Sequence, residues 1–224
     1  MFAGSLFLPE LADATGLVAI GGDLRPQRLL AAYQQGVFPW YDDNEPICWW
    51  SPDPRAIFEL DGLHVSRRLR RRLRSGRFSV TVDRDFAGVI RGCAEEREGG
   101  TWITLEMIQA YEELYTLGSA HSIEVWQDGE LAGGLYGVAI GGFFAGESMF
   151  TRRRDASKVA LVHLVEHLRQ RGFQLFDTQF LTDHTSRLGA VEIPRDEYLA
   201  RLRKALAAPV SFALSARDGK MPKA

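Results

Sequence analysis

SIEVWQDGELAGGLYGVAIGGFFAGESMF, residues 122–150, is the stretch whose reading decides the fold. It divides into three runs of β-forming residues, Ser122–Trp126, Glu130–Ile140 and Phe143–Phe150. Asp128-Gly129 and Gly141-Gly142 stand between them. Such pairs supply the positive φ values that tight hairpin turns require, so the stretch predicts a three-stranded antiparallel meander. Ala156–Arg171 follows with helical spacing, with Asp155 placed to cap it and Gly172 to end it. Phe173–Thr178 then has the short apolar pattern of a buried strand.

Working outward, Phe78–Asp83 alternates like a strand, and Phe86–Ala94, Leu105–Leu117 and Arg195–Ala207 are spaced like helices. Near the start, Asp23–Gln35 predicts a helix, with Asp23 as cap, Pro26 in the first turn and Gly36 at the end. Regular alternation begins only after Pro52–Pro54, which places a boundary there: an N-terminal domain over 1–54 and a second domain over 55–224. The expected class is therefore α+β, with a mixed, mainly antiparallel sheet. Meander, helix, strand is the order found in the central half of the acetyltransferase (GNAT) superfold, although fold likeness alone settles no chemistry.

Composition narrows the function classes. The chain has 224 residues, a hydrophobic fraction of 46% and two cysteines, Cys48 and Cys93. That suits a globular core in a reducing compartment without a disulfide framework, and no apolar run is long enough to span a membrane. The N-terminus lacks the basic region of a secretory signal, so the expected location is cytoplasmic. A net charge of −2 argues against indiscriminate nucleic-acid binding, yet residues 66–77 read SRRLRRRLRSGR, with seven arginines. Ser66 can cap a short helix whose Leu69 and Leu73 face inward and whose arginines splay outward. A solvated basic face and a site for a few phosphates both fit that pattern.

Three further strings carry candidate chemistry. Gly36–Arg55 packs three tryptophans and four prolines into twenty residues. Such rings either plug a core or offer a flat stacking platform, in a segment whose prolines interrupt strand ladders. In FFAGESMF (143–150), Glu147 sits in an otherwise apolar strand and needs a cationic or amine partner if it points inward. Strict alternation puts Ala145, Glu147 and Met149 on one face of that strand. In LFDTQF (175–180), Asp177 and Gln179 share a face; such a pair can orient an amine and take its proton, or Asp177 can simply cap the next turn. His163 and His167 lie at i,i+4 without a visible third ligand, so no metal site is expected. There is no P-loop, GxGxxG or GxSxG string. TRRRDASK (151–158) stands where acyl-CoA enzymes of this superfold carry RxxGxG/A, which suggests an acyl donor other than acyl-CoA.

Taken together, GLVAIGGDL (16–24), AYQQGVFPWY (32–41), WWSPDPR (49–55), EGGTWIT (98–104), HSIEVW (121–126), GESMF (146–150), ASKVAL (156–161), DTQ (177–179) and DHTSRLGAVEIPR (183–195) closely resemble the leucyl/phenylalanyl-tRNA–protein transferase family, in order and from about residue 16 to about residue 200. The resemblance implies a small N-terminal domain joined to a GNAT-like domain. It implies transfer of leucine, or less well phenylalanine or methionine, from its tRNA to a protein beginning with Arg or Lys, marking that protein for N-end rule degradation. It implies no cofactor and no metal. An ordinary acetyltransferase would need the missing CoA loop, and a peptidoglycan aminoacyltransferase is typically longer, with a duplicated core.

Carried onto these residues, the resemblance makes Trp40 and Trp102 the rings that stack on the 3′ adenosine. It makes Phe144, Met149, Leu164 and Phe176 the pocket for the aminoacyl side chain, with selection by shape at about 0.8 kcal/mol per methylene. Leu164 stands where a larger aromatic is expected, which predicts a roomier pocket. Asp177 is expected to orient or deprotonate the attacking amine, with Gln179 positioning it and Glu147 binding the amine or the cationic acceptor. A competing mechanism relays the proton through a tRNA ribose hydroxyl and leaves Asp177 electrostatic. Arg67, Arg68, Arg70, Arg71, Arg72 and Arg74 are expected to hold acceptor-stem phosphates. Thr178 replaces the cysteine of the usual DCQ form and, on the opposite face of its strand, is expected to change little. Trp49 and Trp50 are expected to hold the loop and the domain junction.

Overall fold

A computed structural model describes residues 7–43, 45–95 and 101–213. The opening of the EGGTWIT string (98–100), residues 1–6 and residues 214–224 lie outside them. After a single 3-10 turn at Pro9–Leu11 come β1 (Leu17–Ile20), α1 (Pro26–Gln34), β2 (Phe38–Pro39) and β3 (Cys48–Trp50), and these strands form a small antiparallel sheet with β3 in the middle. The proline-rich loop thus supplies two strands where a break is expected. Pro39 is tolerated because β2 is an edge strand, where a missing N–H leaves no ladder bond unmade. Pro26 is the first residue of α1, but Asp23 does not cap it: Arg25 holds that position, and Asp23 accepts from the Arg25 backbone at 3.1 Å and from Arg28 at 3.3 Å.

The rest comprises β4 (Arg55–Phe58), α2 (Arg67–Arg74), β5 (Ser79–Val82), α3 (Phe86–Ala94), α4 (Leu105–Thr116), β6 (Ala120–Gln127), β7 (Glu130–Ile140), β8 (Phe143–Thr151), α5 (Ala156–Arg171), β9 (Leu175–Gln179), α6 (Asp183–Arg187), β10 (Ala190–Ile193) and α7 (Arg195–Leu206). Among the described residues seven strands form one sheet in the order β10-β4-β9-β8-β7-β6-β5. Only the β8–β9 pair is parallel among the described residues, as a helical crossover through α5 demands. This is the α+β, GNAT-like arrangement, and the 122–150 stretch forms its meander. β4 and β10 escape a periodicity reading: all four residues of β4 are buried, so nothing alternates.

Two apolar cores cover the two faces. One joins Phe86, Val89, Tyr111, Leu114, Tyr198 and Leu202 of α3, α4 and α7 to Leu29, Tyr33, Phe38 and Trp49 of the N-terminal segment. The other joins α5 and Leu69 of α2 to Phe58, Leu135, Phe144 and Phe176 of the sheet. Alternation along β8 fails at one place. Tyr136 pairs with Ser148 but Gly137 pairs with Gly146, so Glu147 is the extra residue of a β-bulge. The bulge reverses parity: Phe143 and Ala145 face the first core, whereas beyond it Phe150 faces that core and Met149 the second. Met149 is therefore not on the face of Ala145, contrary to strict alternation. A Cβ at Gly137 would lie 2.2 Å from the Ala145 carbonyl oxygen, so the strand crossing at the bulge needs glycine.

α2 begins where Ser66 predicts, its hydroxyl accepting from the Leu69 N–H at 3.2 Å. Its arginines are not all splayed outward. Arg72 and Arg68 reach Asp155 at 3.6 and 3.7 Å, a carboxylate supplied from the turn before α5 rather than from the helix itself. Asp155 accordingly makes no side-chain cap to α5. Arg67, Arg70, Arg71 and Arg74 remain exposed.

Candidate active site

The β8–β9 ladder closes at Phe143–Leu175, Phe144–Phe176 and Ala145–Asp177 and goes no further. Beyond it the bulge carries β8 one way, and β9 ends at Gln179, whose φ of +58° turns the chain aside. A cavity of about 300 Å³ opens in the gap. Its apolar wall includes Phe58, Leu135, Met149, Leu161, Leu164 and Phe176, and its polar margin Glu147, Thr178, Gln179 and His184. Three of the four residues expected to form the aminoacyl pocket thus line one cavity. Phe144 does not: fully buried, it stands behind Phe176 with ring centroids 5.6 Å apart. Phe58, Leu135 and Leu161 join the wall without any sequence signal beyond apolarity. Thr178 shares the cavity face with Phe176, so the face opposite Asp177 is the pocket itself, and its γ-oxygen is buried without a partner.

Glu147 is held on two sides. Its Oε1 accepts from the Gln179 carboxamide at 3.1 Å and its Oε2 from the Tyr111 hydroxyl at 3.1 Å. Tyr111 in turn shares a 2.5 Å hydrogen bond with Tyr33 of α1. Burial pushes the Glu147 carboxyl up to about 7, against the pull of the Tyr33 and Tyr111 hydroxyls. Both phenols are driven well above their usual value, chiefly by burial and then by Glu147, so they remain donors. A carboxyl near neutrality beside an open cavity can exchange a proton with a substrate amine.

Asp177 is nowhere exposed, and four donors saturate it. Arg55 grips it with Nε at 2.9 Å and Nη2 at 2.7 Å. The Tyr198 hydroxyl adds a bond at 2.9 Å and the Gln179 backbone N–H another at 2.9 Å. Asp177 therefore does not reach the cavity. Of the two roles expected for it, removing a proton from the amine does not fit this geometry. What the carboxylate holds is the backbone of Gln179, in a left-handed conformation that costs a residue with a Cβ about 1 kcal/mol or more. Arg55, Tyr33, Tyr111 and Tyr198 belong to the site although sequence reasoning passed over them. The one local signal was a lone arginine opening a buried apolar strand.

The tryptophans divide. Trp49 is buried; its indole donates to the Gly21 carbonyl at 2.8 Å, and its ring meets Phe7 at 4.8 Å. Trp50 donates to the Trp40 carbonyl at 2.7 Å and lies edge-on to the Trp40 ring. Trp40 is 43% exposed and rests on Phe180, the residue after Gln179, at 5.6 Å. Trp102 is half-buried just before α4, and the Tyr41 hydroxyl bonds Glu106 of α4 at 3.3 Å, tying the two tryptophan segments together. A second cavity, of about 480 Å³, adjoins the first through Met149 and His184. His163 and His167 do not form a site: His167 bonds the Phe212 carbonyl at 2.8 Å, and among the described residues no group of three potential ligands gathers.

A sheet split around an apolar cavity, with the exposed Trp40 indole resting on Phe180 of its lining, gives the site of a GNAT-like fold. Comparison with known proteins makes the class specific. The model of the leucyl/phenylalanyl-tRNA protein transferase matches residues 57–203, and that of its N-terminal domain residues 22–53. The chain belongs to the leucyl/phenylalanyl-tRNA–protein transferase family. The proteins of that name from Solidesulfovibrio magneticus and Anaeromyxobacter dehalogenans are 56% and 55% identical to it. The alignments cover 88% of this chain and 81% of the first relative, and 90% and 88% for the second. Among solved structures, the chain is similar to a GCN5-related N-acetyltransferase from Kribbella flavida, with a TM-score of 0.39 and 15% identity over 75% of this chain and 60% of that one.

Proposed function

We propose that this protein moves leucine, and less readily phenylalanine or methionine, from aminoacyl-tRNA to the amino terminus of proteins that begin with Arg or Lys, marking them for N-end rule degradation in the cytoplasm. The observation that carries the reading is an apolar cavity of about 300 Å³ whose margin holds a paired Glu147 and Gln179. The aminoacyl side chain fills the cavity; Met149, Leu164 and Phe176 grip it, and Phe144 stiffens the wall from behind. Trp40 and Trp102 stack on the terminal adenosine, in keeping with an exposed indole fixed by Trp50 and Phe180. No helix among the described residues is long and apolar enough to cross a membrane.

The donor ester is already activated, so the protein has to align the acceptor amine and manage one proton. Glu147, whose carboxyl sits near neutrality and faces the cavity, takes that proton as the amide bond forms and returns it to the ribose oxygen of the tRNA as the ester C–O bond breaks. Gln179 holds the amine or the ester carbonyl, and Asp177 acts only by fixing Gln179. The negative charge of Glu147 also favours an acceptor whose first side chain is cationic. Arg67, Arg70, Arg71 and Arg74, with Arg68 and Arg72 behind them, hold acceptor-stem phosphates, a contact that positions tRNA without reading its sequence.

The test is incubation of the purified protein with labelled leucyl-tRNA and a peptide beginning with arginine. The peptide is expected to gain one leucyl residue, and a glycine-initial control none. Trp40→Ala and Trp102→Ala are each expected to keep the wild-type melt while lowering kcat/KM for leucyl-tRNA at least about tenfold, the worth of one stacked base. Unchanged kinetics in both variants would remove the stacking role.

A further inference from the structure

Arg55 stands at the meeting of the two parts of the site. Its guanidinium lies between the rings of Phe38 and Tyr198, 4.7 and 4.4 Å from their centroids. Nε and Nη2 hold Asp177, and Nη1 donates to the Gly36 carbonyl at 3.0 Å. Gly36 and Phe38 are the root of the Trp40 loop; Asp177 is the anchor of Gln179. Folding alone does not single out an arginine here, since an apolar pair of similar volume often fills a buried site as well as an ion pair does. What only the planar fork does is bind the loop's carbonyl and the strand's carboxylate at fixed angles at once.

A second connection runs parallel to it on the surface. Phe180 follows Gln179 directly, and its ring touches both Phe38 and Trp40, each at 5.6 Å. The loop that carries Trp40 and the turn that carries Gln179 are thus joined twice, by a buried ionic link and by an aromatic contact at the rim.

We propose that Arg55 is a positioning residue for the transfer reaction: it couples the seating of the tRNA terminus on the Trp40 loop to the placement of Gln179 against Glu147. This rests on reading Trp40 as the adenosine platform. A base stacked on Trp40 presses on Phe180 and the loop, and Arg55 converts that load into a fixed Gln179. Without the fork, the loop and the strand end settle independently, and a bound donor no longer finds its carbonyl aligned.

The experiment is a double-mutant cycle of Arg55→Lys and Trp40→Ala, read as kcat and KM for leucyl-tRNA with an arginine-initial peptide. Arg55→Lys keeps the charge and loses the fork, and is expected to lower kcat and raise KM together, with kcat/KM down about tenfold or more. The double variant is expected to fall no more than about threefold below the worse single variant, because each change removes the same coupling. Penalties that multiply would overturn the proposal, since a residue serving only stability or only its own strand adds independently. Should Arg55→Lys fail to melt cooperatively, Arg55→Met with Asp177→Leu removes both charges of the buried pair. That pair is expected to fold and to lose transfer at least about 100-fold, and near-normal turnover would contradict the proposal. The wild-type and Trp40→Ala arms report separately on the reading beneath it. If wild type transfers nothing, or Trp40→Ala is silent, the platform falls and this coupling falls with it; if both behave and the cycle multiplies, only the coupling falls.

Discussion

Glu147 is buried against Tyr111 and Gln179, with Tyr33 and Tyr136 close by, and burial holds its carboxyl up to about 7. The cost of that arrangement is felt in stability. The folded state keeps the proton that the unfolded chain releases at an ordinary carboxyl value, so between about pH 4.5 and about pH 7 the folded form binds more protons and stability falls as pH rises. Glu147→Gln removes the titration and retains the hydrogen-bonding shape. Its stability is therefore expected to exceed that of wild type increasingly from about pH 5 to about pH 7, and then to level at a gain on the order of 3 kcal/mol. Parallel thermal melts at several pH values check this, and a constant offset would detach Glu147 from the effect. Asp177 teaches the complementary lesson. Its spacing to Gln179 could not show that four donors seal it, because three of them come from Arg55 and Tyr198, outside its own strand.

The arginine helix α2 divides its charges between an ion pair and solvent. Arg68 and Arg72 face Asp155, whereas Arg70, Arg71 and Arg74 face solvent. Changing those three to Glu is expected to leave the melt within about 0.5 kcal/mol of wild type, as surface substitutions do. It is expected to weaken tRNA binding and to flatten the slope of log affinity against log salt by roughly 2–3. Titrations at several salt concentrations measure it; an unaltered slope would leave these arginines as a solvated face. Elements bounded by their own turn chemistry were legible in the sequence. α3 begins where the Asp85 side chain accepts from the Gly88 N–H at 2.9 Å, and α5 ends at Gly172 with a φ of +81°. The bulge at Glu147 was not, because it is a property of the β7–β8 pairing and no single strand records it. Nor were β2 and β3, whose prolines and tryptophans hide two short strands.

At the scale of the molecule, the composition change near Pro54 marks a change of chain path: β3 closes the small sheet, and β4 opens within the large one. The cores do not divide there. Trp49, Tyr33 and Phe38 pack in one cluster with Phe86, Tyr111 and Phe143. The hydrogen-bond network around Glu147 crosses that boundary, with Tyr33 from one side and Glu147, Gln179 and Tyr111 from the other. Strings of sequence therefore nominate candidate residues, while the contacts around them appear only when both halves are folded together. The central claim is that Glu147, at the margin of an acyl cavity, manages the proton of an amine attacking an aminoacyl ester. The measurement that tests it most directly is kcat/KM for leucine transfer to an arginine-initial peptide, from about pH 5.5 to about pH 9, in wild type and Glu147→Gln. Wild type is expected to gain activity through about pH 7 as Glu147 ionises. Glu147→Gln is expected to be about 100-fold slower and to keep only the limb near pH 8 that belongs to the acceptor's own amine. Profiles of one shape, or a variant within about twofold of wild type, would contradict the account.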